Sequence, residues 1–316
     1  MRHGHPCLRV ADPMEKANAS LLKGLGVGTL AGVCFGLGGF FLSEIPSTQG
    51  MGMVMFWLTP MLAGFAIALV TPKPNTVLAS MLLSALVSLV ILVAIGKEGP
   101  LCAVLAFPLL ATGIALGVVC GNLFRKYVMV GVRNQSMTLM LFFLAAPAFI
   151  LAGHRAEYRE LDIPRKEIVT SSVTIAASPD EIWPHILSID SIAVPKPFLM
   201  YIGLPIPVRC QLVGSGVGAK RTCYFEKGSI EETITEWSPP YAMSLSIDRT
   251  NMPGRHWLGF ENARYQLRQE GSATRLIRTT TIISHLHPIW YWRYFERLGV
   301  ASEHEYILND VARQFK

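Results

Sequence analysis

Apolar residues follow two rules along this chain. Between residues 21 and 153 they form long unbroken runs. Charges are absent between Lys23 and Glu44, Glu44 and Lys73, Lys73 and Lys97, Glu98 and Arg125, and Arg133 and Arg155. Each gap accommodates a spanning helix of about 17–25 residues. The runs predict spans at 22–42, 53–70, 77–95, 101–122 and 137–151, the last short and interrupted by Pro147. Residues 1–20 are polar, with Asp12, Glu15 and Lys16, so they form no cleavable signal peptide. The first span then acts as an uncleaved anchor.

From residue 168 the pattern changes to alternation, the period of a strand with one buried face. Residues 168–175 read as a strand. Ser178-Pro179-Asp180-Glu181 then supplies an N-cap, a first-turn proline and a carboxylate at the third helical position, so a helix starts there. Strands are predicted at 208–213, 219–227, 230–237, 241–247, 261–268 and 273–284, and a helix at 288–315. A strand, a helical region, about six antiparallel strands and a terminal helix make an α+β order, not a doubly wound one. The glycine cluster at 214–218 is followed by Ala219-Lys220-Arg221 and by no helix. It is therefore neither a P-loop nor a dinucleotide fingerprint but a hairpin turn.

A two-residue turn at Gly228-Ser229 predicts the pairs Phe225–Glu232, Cys223–Ile234 and Arg221–Glu236. Across the glycine turn Cys223 falls opposite Cys210, Phe225 near Val208 and Arg221 near Leu212. One face then holds Val208, Cys210, Leu212, Arg221, Cys223, Phe225, Glu232, Ile234 and Glu236. The other holds residues typical of a wetted face, such as Lys220, Thr222, Glu231 and Thr233. The first face is the inward one, and it carries three charges. Arg221 and Glu236 are expected to pair, and Glu232 to find Arg278. Polar groups in an apolar concavity are the usual composition of a ligand pocket; an internal ion-pair network, or a slip of one residue, are the alternatives. The terminal helix has a stripe at Tyr294, Leu298, Ala301, His304, Leu308, Val311 and Phe315 that would pack on this face. His304 is either a satisfied core residue or a pocket group. Residues 289–292 (Ile-Trp-Tyr-Trp) are either a pocket wall or a membrane-interface anchor. Cys210 and Cys223 either form a disulfide or remain two small buried thiols.

Charge sharpens the division. Residues 1–153 hold 9 Lys/Arg and 4 Asp/Glu, and residues 154–316 hold 19 and 18. This excludes a wholly soluble enzyme and a disordered chain. The second half is nearly neutral, so nucleic acid is not an expected partner. With five spans, Arg2, Arg9, Lys16, Lys23, Lys73, Arg125, Lys126 and Arg133 collect on one side and Lys97 alone on the other. The positive side is cytoplasmic, which puts the N-terminus inside and residues 154–316 outside. Four spans would return them to the cytoplasm, and Arg155, Arg159, Arg165 and Lys166 speak for that side. Gly24, Gly28, Gly32 and Gly36 make a small-residue stripe, for packing within the bundle or for a homodimer. No span carries a mid-membrane ionisable residue, which argues for an anchor rather than a transporter. His3-x-His5-x-Cys7 lacks a fourth ligand, and no CxxC pair exists, so no metal site and no cofactor are expected.

The second half resembles the helix-grip domains of the SRPBCC superfamily (START-like, polyketide cyclase/dehydrase). The matching segments are 173–183 (VTIAASPDEIW), 216–225 (GVGAKRTCYF) and 232–240 (ETITEWSPP), within a resemblance that covers about 168–315. The resemblance implies an antiparallel sheet wrapped on a long C-terminal helix, enclosing a hydrophobic cavity for lipids, sterols, polyketides or hormones. The expected organisation is a polar tail (1–20), a membrane domain of about five spans (21–153), a linker (154–167) and a helix-grip domain (168–316). The expected function is a membrane-anchored binding or sensing module for a hydrophobic or amphipathic molecule. Its binding residues would be Arg221, Phe225, Glu232, Ile234, Glu236, Tyr265, Arg278 and His304. A cyclase- or dehydrase-like enzyme using His304 or Glu232 as general acid/base is the alternative, and a protein-interaction domain with a filled cavity the next.

Overall fold

The computed structural model describes residues 13–44, 51–71, 73–129, 135–252 and 258–316. The His3/His5/Cys7 motif lies outside them. The chain forms two units. One comprises Met1–Pro46, Val54–Val90 and Phe107–Gly153; the other comprises Ser47–Met53, Ile91–Ala106 and His154–Lys316.

The apolar runs fold as helices α1 (Pro13–Glu44), α2 (Thr59–Val70, preceded by a π-helical stretch Val54–Leu58), α3 (Pro74–Ala94), α4 (Pro100–Tyr127) and α5 (Gln135–Leu161). Four segments are long and apolar enough to cross a membrane: Asn18–Leu42, Asn75–Ala94, Pro100–Tyr127 and Ser136–Leu161. Val54–Val70, expected as a span, is a shorter apolar helix. The last run, expected to be short, belongs to a long helix despite Pro147.

Within the first unit the glycine stripe of α1 faces hydroxyls of α3. A Cβ at Gly28 would lie 2.5 Å from Ser80 Oγ, and one at Gly32 2.5 Å from Ser84 Oγ. The stripe thus serves packing inside this chain, where small residues let backbones approach. Helices α2 and α4 meet more closely still: a Cβ at Gly64 would lie 2.0 Å from the carbonyl oxygen of Ile114. Arg125 donates to the carbonyls of Ala68 (3.2 Å) and Thr71 (3.1 Å), a cation closing the C-terminal end of α2.

The second unit is built on a seven-stranded antiparallel sheet of order β1-β7-β6-β5-β4-β3-β2. Its strands are β1 (Arg165–Ile175), β2 (Pro207–Val213), β3 (Lys220–Phe225), β4 (Ser229–Ser238), β5 (Ala242–Thr250), β6 (Leu258–Glu270) and β7 (Ala273–Ser284). Two short helices, α6 (Pro179–Leu187) and α7 (Phe198–Tyr201), separate β1 from β2, and α8 (Ile289–Arg313) ends the chain. Ser178 and Glu181 form the reciprocal capping box that starts α6. Gly214, Gly216 and Gly218 all have positive φ, as the β2–β3 turn requires. Ile234, Met243, Leu245, Tyr265 and Leu276 from the sheet share one core with Ile182 and Ile186 of α6 and Leu308 and Val311 of α8.

The expected β3–β4 register needs correction. Arg221 pairs with Glu232, not Glu236, and Cys223 with Ile230, not Ile234. The two-residue turn falls at Glu226-Lys227, not Gly228-Ser229: the Phe225 N–H donates to the Gly228 carbonyl (3.0 Å), and Gly228 closes the turn with a positive φ that favours glycine. The shift is four residues, an even number, so the assignment of faces survives it. Glu236 is the exception. A bulge between Ile234 and Glu236 reverses the alternation. Trp237 turns to the core, edge-on to Trp183, while Glu236 turns outward to Ser244 (2.6 Å) and Arg264 (3.1 Å). A bulge at Pro207/Arg209 likewise turns Val208 out.

The stripe expected on α8 holds only in its second half. His304, Leu308 and Val311 are buried, but Tyr294 is 64% exposed. The inward face of the first half is Trp292, Glu296, Gly299 and Val300. Glu296 lies inward because Arg165 (2.6 Å) and Ser284 meet its carboxylate there.

Candidate functional site

Sheet and α8 leave a cavity of about 150 Å³, whose lining among the described residues belongs to the second unit. Its walls are mainly apolar: Leu101, Cys102 and Leu105 at the start of α4, Phe225, Ile230 and Phe260 from the sheet, and Trp292, Val300 and Ile307 from α8. Tyr291 secures the α4 side by donating its hydroxyl to the Leu105 carbonyl. Cys210 and Cys223, cross-strand neighbours, are joined in a disulfide and line the cavity as well. Among the described residues four charged ones reach its surface: Glu232, Arg278, Glu296 and Glu303.

Of the residues expected at a site, Phe225, Glu232, Tyr265 and Arg278 line this cavity together. The others are placed elsewhere. Arg221 is 2% exposed and is consumed by the protein itself. Its Nη1 donates to Glu232 (3.0 Å), its Nε to the Leu187 carbonyl (3.1 Å) and its Nη2 to the Ile186 carbonyl (3.3 Å). It therefore caps the C-terminus of α6 and neutralises Glu232 at once. Ile234 belongs to the central core, and Glu236 lies on the outer face.

His304 is fully buried outside the cavity lining. Its Nε2 meets Thr280 Oγ1 at 2.7 Å and its Nδ1 meets Ser171 Oγ at 3.2 Å. Burial, aided by Arg278, pushes its pKa down to about 2, so the ring is neutral with both nitrogens engaged. It is a satisfied core histidine, not a free acid or base.

Arg278 projects from β7 over the Tyr265 ring (5.4 Å to its centroid) and donates through Nη2 to Glu303 (3.1 Å). Arg221 lies over the same ring at 5.7 Å. Burial pushes the Glu232 carboxyl up, and Arg221 and Arg278 offset only part of that.

Glu296 and Glu303 went unrecognised in the sequence. The signal available was the run Trp292, Glu296, Gly299, Glu303, Ile307, spaced for one helix face; its two carboxylates hid it. Behind Glu296, Arg165 also meets Glu167 (2.9 Å), and Glu167 meets Arg293 (2.6 Å). Burial would raise the Glu167 pKa, yet hydrogen bonds and charge from the two guanidiniums lower it. Among the described residues no group of three or more His, Cys, Asp or Glu could hold a metal ion.

No family model and no curated protein matches the chain. Solved structures do, over its C-terminal half. The Zhui aromatase/cyclase from Streptomyces sp. R1128 is 11% identical, with a TM-score of 0.34 over 48% of this chain and 97% of that one. A norcoclaurine synthase point mutant from Thalictrum, solved with a transition-state analogue, is 10% identical, with a TM-score of 0.32 over 48% and 96%. The Aha1 dimer from Colwellia psychrerythraea is 17% identical, with a TM-score of 0.32 over 47% and 96%. By its own strand order and terminal helix, the segment 165–313 has a helix-grip fold, a seven-stranded antiparallel sheet with a long C-terminal helix.

Proposed function

We propose that this protein is a membrane-anchored binding module whose helix-grip cavity holds a small hydrophobic or amphipathic molecule. One observation carries the reading: an apolar cavity with charged groups on its surface, walled in part by Leu101, Cys102 and Leu105 at the start of a helix apolar enough to span a bilayer. A tether of that kind suits a ligand that partitions into lipid. In the same proposal Val54–Val70 is a fifth, short span. The N-terminus then lies in the cytoplasm and the helix-grip domain outside, where a Cys210–Cys223 disulfide persists.

The test is native mass spectrometry of the full-length protein extracted in detergent, with analysis of whatever small molecule accompanies it. Gly299→Leu is the control. Gly299 lines the cavity, and a Cβ there meets only Leu204 Cδ1, at an ordinary 3.5 Å, so the larger side chain has room to enter. A stoichiometric occupant lost in Gly299→Leu supports the reading. An empty protein, or an occupant unaffected by Gly299→Leu, counts against it.

A further inference from the structure

We infer that the end of the helix-grip domain formed by α7 and the first half of α8 is seated in the headgroup layer of the bilayer that holds this chain's own helices; this rests on the membrane anchoring proposed above. Among the described residues of segment 165–313, five aromatic side chains are exposed: Phe198, Tyr201, Tyr241, Trp290 and Tyr294. Four of the five belong to α7 and α8. Leu298, one turn beyond Tyr294 on the same face of α8, is exposed as well. A cluster of this kind marks an interaction surface, and Trp and Tyr favour the boundary between membrane and water. Arg297 lies exposed beside them, a cation suited to lipid phosphate.

Chain connectivity decides what covers this end. Both α7 and α8 meet the first turns of α4. A Cβ at Gly203, two residues after α7, would lie 2.9 Å from the Leu101 backbone nitrogen, and Tyr291 donates its hydroxyl to the Leu105 carbonyl. Helix α4 has 28 residues, a length of about 42 Å against a hydrocarbon core of about 30 Å. Each of its ends therefore reaches about 6 Å into the interface, and the charged pair Lys97-Glu98 stands just before the first. Helix α5 ends at Leu161, and β1 begins at Arg165. The Leu161 carbonyl meets His285 Nδ1 at 2.9 Å, four residues before α8. As consecutive spans, α4 and α5 bring these two ends to one side of the bilayer. Two separate crossings thus hold the same end of the domain against the membrane, and the exposed aromatics cluster there. Tyr241 is the contrast. It follows β4, whose 10 residues run from beside the cavity at Ile230 to a point about 30 Å away.

The test places p-benzoylphenylalanine, one position at a time, at Tyr201, Trp290, Tyr241 and Phe149 of the full chain in nanodiscs of equal parts phosphatidylcholine and phosphatidylglycerol. All four side chains are exposed, so the exchange leaves the core untouched. After irradiation, intact-protein mass spectrometry reads phospholipid adducts. Phe149 lies within α5 and reports the crossing itself. Tyr201 and Trp290 should give about tenfold the adduct yield of Tyr241, which stands far beyond a headgroup layer about 6 Å deep. Adducts at Phe149 with only background at Tyr201 or Trp290 overturn the inference and leave the anchoring intact. Equal yields at all four positions overturn it too. A second copy of the chain captured at Tyr201 or Trp290 in place of lipid overturns it by making this end a protein interface. No adduct at Phe149 removes the anchoring, and the inference with it.

Discussion

Two arginines flank one tyrosine ring in this domain, and they have opposite fates. Arg221 is enclosed by Glu232 and by two carbonyls at the end of α6, so every nitrogen is spent on the fold. Arg278 shares one nitrogen with Glu303 and keeps two that are buried and meet no hydrogen-bond partner among the described residues. The difference teaches that a buried charge is read by its leftover hydrogen-bonding capacity, not by its burial. A saturated guanidinium holds elements together, whereas an unsaturated one leaves part of its desolvation cost unreturned.

The largest effect should come from breaking the saturated pair. Arg221→Met leaves Glu232 buried without its cation and should cost about 3–5 kcal/mol, measured as the urea unfolding midpoint of the solubilised chain. Adding Glu232→Leu should recover most of that loss, because the cost lies in the orphaned charge. Arg278→Met should cost clearly less, since Glu303 is the partially exposed partner at 18%. Equal losses would erase the distinction between the two arginines.

Next comes the disulfide that pins β2 to β3 below Arg221. Its partners are 13 residues apart. Replacing both Cys210 and Cys223 by serine should cost about 3 kcal/mol through the freed loop entropy, read by the same titration. A negligible change would mean that pairing in the sheet alone holds this edge.

His304 lies between the two regimes, saturated but titratable. Its folded pKa of about 2 lies below its ordinary 6.5. The unfolded chain therefore binds the extra proton first as pH falls. Stability from this group is complete above pH 6.5 and is lost progressively on acidification toward pH 2, at no more than about 1.4 kcal/mol per pH unit. His304→Gln should flatten that part of the stability profile between pH 6.5 and 4.5. An unchanged slope would show that carboxylates alone produce it.

The smallest effect belongs to Glu236. Glu236→Gln touches the exposed contacts with Ser244 and Arg264 and should shift stability by about 0–1 kcal/mol, read by the same urea titration. A loss as large as that of Arg221→Met would return Glu236 to the inner face.

Much of this was legible in the sequence because it depends on neighbours along the chain. Alternation set the strands, Ser178 and Glu181 set the start of α6, and the glycine cluster set the β2–β3 turn that puts Cys210 opposite Cys223. Period two also assigned Arg221, Cys223 and Glu232 to one face, and a register shift of four residues left that assignment intact. The rest required contacts between distant segments. The β3–β4 turn fell at Glu226-Lys227, closed by Phe225 and Gly228, and a bulge after Ile234 sent Glu236 out and Trp237 in. Glu296 and Glu303 turned inward against the apolar stripe because Arg165 and Arg278 waited there from strands far away in sequence. Local pattern determines which elements form and which faces they offer. Where a charge is buried depends on the partner that compensates it, and only the tertiary structure brings that partner within reach.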